Sequence, residues 1–222
     1  MSRNFSFSTG EYYHCYSRGT EKRKIFLSRK DYERFIALLF VCNSTETIHL
    51  SDHWKKSFNQ IFNIPRSETI VDIGAYSFMP NHFHLLLREK KEDGISLFMQ
   101  KLITAYTMYF NKKYNRTGAL FESRFKAEHA NKDKYLKYLF SYMHLNPEKL
   151  MGPAWKEGGG KNIGGAKKFL GEYTYSSYSD YSKKESRPQG VLLNKNSFPG
   201  YFIDIKDFEE EMLDWLNVKV EP

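Results

Sequence analysis

The chain has 222 residues, 41% hydrophobic and 27% charged, enough for one large domain with an appended segment. Lys and Arg outnumber Asp and Glu by 34 to 26, giving a formal charge of +8 and a pI near 9.2, a balance that favours anionic partners such as nucleic acid or an anionic membrane surface. Cys15 and Cys42 are too few for a disulfide framework or a cysteine-built zinc site, no apolar run approaches the roughly 18 residues of a membrane span, and the first residues lack the apolar core of a signal peptide, so a soluble cytoplasmic protein with no membrane partner is expected.

Residues 12–18 alternate aromatic and polar side chains and read as a first strand, with His14, Tyr16 and Arg18 on one face. Gly19 ends it, and Lys22, Arg23 and Lys24 make the following turn basic. Residues 31–41 carry apolar groups at helical spacing behind a Ser28 N-cap. Residues 43–65 are polar and irregular and read as an insertion, with a short helix near Trp54. Residues 69–78 and 81–88 read as two strands joined by Pro80-Asn81, hence a hairpin. Residues 95–114 form a long helical pattern, residues 120–129 a fourth strand, and residues 131–146 a second long helix that Pro147 should end. The Gly- and Lys-rich stretch 152–171 reads as a flexible connection, and residues 208–218 as a short amphipathic helix. This order predicts an α+β fold: a ferredoxin-like antiparallel sheet with helices packed on one face and a C-terminal extension. Residues 1–150 would form the main domain and residues 151–222 the connection and extension.

The segment Met79-Pro80-Asn81-His82-Phe83-His84-Leu85-Leu86-Leu87 carries the strongest chemical signal. On a strand, His82 and His84 point the same way, while Phe83, Leu85 and Leu87 enter a core behind them. Two imidazoles on one surface supply two positions around a divalent ion and leave others for a third protein group, water and substrate. The plain alternative is a pair of ordinary histidines on a half-solvated strand. Sixty residues on, Tyr142 and Asn146 sit one helical turn apart, so both project from one face. A phenol is a poor unaided nucleophile, but a metal can stabilise charge developing on a phosphodiester. The Asn146 amide oxygen is the candidate third metal ligand, against the alternative of a structural Asn before Pro. His144 points elsewhere on the helix. Tyr135 and Tyr138 share the face of Tyr142, so tyrosine content alone identifies no nucleophile. Arg18, Lys22, Arg23, Lys24, Arg124 and Lys126, interleaved with aromatics, suit single-stranded DNA, whose phosphates meet cations while its bases stack on rings.

On the segments Tyr13-His14-Cys15-Tyr16-Ser17-Arg18-Gly19, residues 79–87, residues 118–126, residues 142–147 and Tyr175-Ser176-Ser177-Tyr178, the chain resembles the REP-associated tyrosine transposases, within the HUH single-strand DNA transposases. That resemblance implies a ferredoxin-like core, and Mg²⁺ or Mn²⁺ held through His82 and His84. It implies a single nucleophilic tyrosine, here Tyr142, and cleavage of hairpin DNA to a 5′-phosphotyrosine and a free 3′-OH. The third ligand is often Gln in the wider group, where this chain has Asn146. The protein is expected to act as a monomer or a homodimer. Two other readings share these residues: a sheet that binds hairpins without cutting them, and a metal hydrolase of small phosphoesters that needs no tyrosine.

Overall fold

A computed structural model of the protein describes residues 6–152, 163–200 and 204–217. Strand β1 (Tyr12–Arg18) leads into helix α1 (Arg29–Cys42). The insertion holds a 3-10 turn, Leu50–His53, and the short helix α2 (Phe58–Ile61). A hairpin of β2 (Val71–Met79) and β3 (His82–Glu89) precedes the long helix α3 (Gly94–Lys113). Strand β4 (Lys126–His129) and helix α4 (Asp133–Leu145) follow. The C-terminal region adds α5 (Ile163–Glu172), α6 (Tyr178–Ser182) and α7 (Ile205–Asn217).

The four strands form one sheet in the order β2-β3-β1-β4 with every pair antiparallel. With α1 and α3 as the crossing helices, this is the ferredoxin-like layout expected from the element order. Alternation assigns each strand residue to a face. Tyr13 and Cys15 on β1, Tyr76 and Phe78 on β2, and Phe83, Leu85 and Leu87 on β3 join α1 and α3 in the larger core. Phe35 of α1 meets Phe83 and Phe78 at ring distances of 5.0 Å, and Tyr106 of α3 at 4.9 Å. Helix α1 begins as the Ser28 reading requires: Asp31 accepts the backbone N–H groups of Leu27 and Ser28 at 2.8 Å, forming a capping box. Asp31 also accepts the Tyr114 hydroxyl at 2.8 Å, which ties the start of α1 to the end of α3.

Helices also cover part of the sheet's other face. Ala75 and Leu86 pack there with Leu136, Leu139 and Met143 of α4, Leu170 of α5, Tyr181 of α6, and Phe208 and Met212 of α7. The β2 strand has a bulge at Gly74, where the register with β3 shifts between Ile73 and Ala75. The bulge lets Ile73 and Tyr76 face the larger core while Ala75 faces the smaller one. A side chain at Gly74 would enter the ring of Phe198, since an added Cβ would lie 2.6 Å from it. The Tyr175-Ser176-Ser177-Tyr178 run lies along the free edge of β2: Phe78 N–H donates to Tyr175 and Ser177 N–H to Tyr76. Half-buried Arg187 pairs with Asp180 and donates to the Tyr76 hydroxyl at 3.1 Å.

Three expectations from the sequence need correction, the first being helices packed on one face alone, since they cover part of both faces. The fourth strand is short: only Lys126–His129 forms a ladder with β1, and residues 120–122 touch its end through an isolated bridge of Phe121 to Gly19. Leu120 and Phe121 are consecutive and both buried. A regular strand sends neighbours to opposite faces, so it could not bury both in one core. The second half of the Gly- and Lys-rich stretch is helix α5, because Ala166 and Leu170 lie one turn apart and both reach the core. Its first half, residues 153–162, lies outside the described residues, as does Val218 at the end of the C-terminal helix pattern. Pro147 ends the regular α-helix as expected, with α4 closing at Leu145, and the chain continues in a 3-10 segment, Asn146–Met151. Among the described residues no helix is long and apolar enough to cross a membrane.

Candidate active site

The sheet face opposite α1 and α3 is open between β4 and α4, and there it forms a cleft of about 560 Å³. Pairing register builds one wall. Arg18 stands opposite His82, Tyr16 opposite His84, and His14 opposite Leu86 on the β1–β3 side. On the other side Tyr16 meets Lys126 and His14 meets Glu128 of β4. All these side chains except Leu86 line the cleft. Helix α4 builds the facing wall with Tyr135, Tyr138 and Tyr142, and Asn146 and Lys149 follow in the next helical turn.

His82, His84, Tyr142 and Asn146, drawn from segments sixty residues apart, therefore meet in one cleft. The rings of His82 and His84 are 4.9 Å apart and nearly perpendicular. The Tyr142 ring lies 5.6 Å from His84 and 6.4 Å from His14. His82 Nδ1 contacts the Asn81 side-chain oxygen at 2.6 Å, and Asn81 is itself held by its amide to the Lys22 carbonyl at 3.2 Å. His84 Nδ1 faces His14 Nε2 at 2.8 Å. The opposite nitrogen of His84, Nε2, is buried and has no hydrogen-bond partner among the described residues, and the same is true of both amide atoms of Asn146. Buried polar groups are nearly always paired, so such a cluster marks a place built for something else.

Electrostatics keep the imidazoles neutral and the phenol protonated near pH 7. Burial lowers His14 to about 4, against a smaller opposite pull from Glu128. Burial, with help from the charges of Arg18 and Lys149, lowers His82 to about 4. His84 falls well below the usual histidine range for the same first reason, reinforced by His14 and His82. Neutral imidazole is the form that ligates metals. Burial raises the Tyr142 phenol, as does Tyr138, while Arg18 pulls it back. Glu128 accepts hydroxyl hydrogens from Tyr16 and Tyr135, each at 2.8 Å. Burial works against its charge, but these hydrogen bonds outweigh it and hold the carboxyl below its ordinary range.

The donor set suits a divalent ion of the Mg²⁺ or Mn²⁺ type: two neutral imidazoles, one amide, and open cleft for water and phosphate oxygens. Among the described residues no three His, Cys, Asp or Glu side chains gather closely enough to hold an ion by themselves. Such an ion would need Asn146 or ligands from solvent and substrate.

Of the six basic residues singled out for nucleic acid, Arg18 and Lys126 line the cleft. Lys22, Arg23, Lys24 and Arg124 lie outside it. Arg23 spends its guanidinium on the Glu21 carboxylate at 3.1 Å and on the Thr20 carbonyl, and Lys22, Lys24 and Arg124 are exposed. His144, left out of the site on the sequence, is fully buried in the smaller core against Ser177 Oγ at 2.7 Å. The cleft residues outside the expected set include His14, Glu128 and Lys149, the last with its ammonium 5.0 Å from the centre of the Tyr142 ring. Strand alternation already placed His14 on the face of Tyr16 and Arg18, but nothing in the sequence gave it a role there. Lys149 follows Tyr142 by seven residues, two helical turns, but Pro147 in between conceals that spacing.

A family model described as IS200-like transposase matches residues 30–146, just over half of the chain and a span that includes His82, His84, Tyr142 and Asn146. Among solved structures, the chain is similar to a REP-associated tyrosine transposase bound to a REP hairpin, with a TM-score of 0.50 and 12% sequence identity over 92% of this chain and 94% of that one. At that identity the likeness is one of fold. A search of curated protein sequences finds no match. With more than half its length matched by the family model, and a fold shared end to end with a tyrosine transposase, the chain belongs to the IS200-like transposase family.

Proposed function

We propose that this protein is a metal-dependent DNA nicking and strand-transfer enzyme that acts on DNA hairpins with a single-stranded flank, with Tyr142 as its nucleophile. One observation carries the reading: Tyr142 shares a cleft with buried His84 Nε2 and the buried amide of Asn146, which have no hydrogen-bond partner among the described residues. His82, His84 and Asn146 would hold Mg²⁺ or Mn²⁺, which when bound supplies positive charge against a phosphate oxygen. Arg18, Lys126 and Lys149 add fixed positive charge around the same phosphate. Oη of Tyr142 attacks phosphorus and loses its proton, the bond from phosphorus to the 3′ oxygen breaks, and the 3′ oxygen leaves and is protonated. The product is a 5′-phosphotyrosine that keeps the bond energy for rejoining. The raised phenol means that little phenolate forms in the free protein at neutral pH, so the nicking rate rises as pH increases from 6 to 9.

The test is a denaturing gel of labelled hairpin DNA incubated with the protein and Mn²⁺. A covalent adduct forms with the parent protein and vanishes in Tyr142→Phe, which still binds the hairpin. An undiminished adduct in that variant removes Tyr142 as nucleophile. Replacing His82 and His84 together by Ala abolishes metal-stimulated cleavage, and unchanged cleavage rejects the metal site. A parent protein that binds hairpins but never yields an adduct or a nick is a binding module instead.

A further inference from the structure

We infer that His14 is a positioning residue that, together with Glu128, sets the tautomer of His84 so that Nε2 offers a lone pair to the metal. The inference rests on the metal reading above. His14 is buried, and its Nε2 lies 2.8 Å from His84 Nδ1. Only one proton can sit between two facing ring nitrogens, and each neutral imidazole carries one N–H.

Two arrangements are open, and Glu128 separates them. If His14 Nε2 carried the proton, His14 Nδ1 would be a bare lone pair facing the Glu128 carboxylate, whose Oε2 is 4.0 Å away. His84 would then carry its own N–H on Nε2, pointing into the cleft, where no acceptor meets it among the described residues. In the reverse arrangement the charges match, with the N–H rather than the lone pair of His14 Nδ1 turned to the carboxylate 4.0 Å away, although no hydrogen bond to that nitrogen forms among the described residues. His14 Nδ1–H faces the carboxylate, and His84 Nδ1–H donates to His14 Nε2. His84 Nε2 is left as an acceptor aimed at the open cleft. Glu128 is itself fixed by the hydroxyls of Tyr16 and Tyr135. The chain Glu128–His14–His84 therefore follows the logic of the carboxylates and carbonyls that orient ligating histidines, with an extra imidazole inserted. His82 reaches the same end by a shorter route, since Asn81 Oδ1 can only accept, so it holds the proton on His82 Nδ1 at 2.6 Å.

Two measurements test this. Long-range ¹H–¹⁵N correlation on metal-free protein with ¹⁵N-labelled histidine reads the tautomer directly. His84 is expected as the Nδ1–H form, and the Nε2–H form overturns the inference. Mn²⁺ affinity, read by the EPR signal of free Mn²⁺, is compared for the parent, His14→Phe and His14→Gln. His14→Phe, which keeps a planar ring but offers no acceptor, is expected to bind Mn²⁺ about 10- to 100-fold more weakly. His14→Gln, whose amide oxygen can accept from His84 Nδ1, recovers most of that loss. Parent-like affinity in His14→Phe overturns the inference alone and leaves the metal reading intact. A parent protein that binds no Mn²⁺ removes both. If His14→Phe does not fold, the tautomer and the affinity of His14→Gln still decide, and a Gln variant as weak as His82→Ala counts against it.

Discussion

The two faces of one sheet follow opposite rules, and strands β1 and β3 contribute to both. Toward α1 and α3 they send Tyr13, Cys15, Phe83, Leu85 and Leu87, each 1% exposed or less and all in one apolar core. Toward α4 they send His14, Tyr16, Arg18, His82 and His84, which line a cleft containing buried nitrogen atoms without partners. A two-residue period thus lets one short strand supply stability on one side and chemistry on the other. Unsatisfied groups cost stability, and the filled core behind them allows the site face to carry that cost.

The largest expected effect separates the faces at adjacent positions. Phe83→Ala should lower unfolding free energy by about 3–5 kcal/mol, because a fully buried ring packed on Phe35 and Phe121 leaves a cavity. His82→Ala, one residue away on the open face, should change it by no more than about 1 kcal/mol while removing metal-stimulated nicking. Urea denaturation of both variants measures the contrast, and equal losses would dissolve it.

A smaller effect is set by pH. His14 and His144 are lowered from 6.5 to about 4 and about 3 by burial. In the unfolded chain each binds a proton below about pH 6.5 that the folded protein accepts only near pH 4 or lower. The unfolded state therefore holds more protons, and stability falls as pH drops from 6.5 toward 4. The loss is about 1–2 kcal/mol for each residue by pH 5. Thermal melts of the metal-free protein across pH 7 to 5 should show a falling midpoint, with a shallower slope in His14→Phe. A flat profile would mean that water reaches these rings in the folded state.

The smallest effect sharpens the contrast most. Asn146 is buried with both amide atoms unpaired, so Asn146→Ala should leave metal-free stability within about 1 kcal/mol of the parent. The same change should weaken Mn²⁺ binding. A stability loss of about 3 kcal/mol would show that the amide works for the fold rather than for the ion.

Much of this was legible in the chain because the signals were local. The alternation through His82-Phe83-His84 fixed which side chains share a surface, and the spacing of Tyr142 and Asn146 placed both on one helical face. Ser28 announced the start of α1, and Pro80-Asn81 the β2–β3 turn. Family membership was legible for the same reason, since the motifs that carried the resemblance are short contiguous runs. The errors were equally physical. Leu120 and Phe121 looked like the start of a strand because apolar β-formers favour one, yet burying both neighbours in one core bends the chain out of the ladder. Residues 163–171 looked flexible from glycine content, yet Ala166 is buried and Leu170 joins a core that the folded sheet provides.

By itself the sequence determined the order of elements, the two histidines on one strand face, and the one-turn pairing of Tyr142 with Asn146, all properties of backbone periodicity within a single segment. Only the tertiary structure decided the register that sets His14 between Glu128 and His84. It also decided which basic residues meet the cleft, since Arg18 and Lys126 reach it while Arg124 does not. Those outcomes depend on pairing between strands far apart in the chain, and local periodicity carries no information about such pairing.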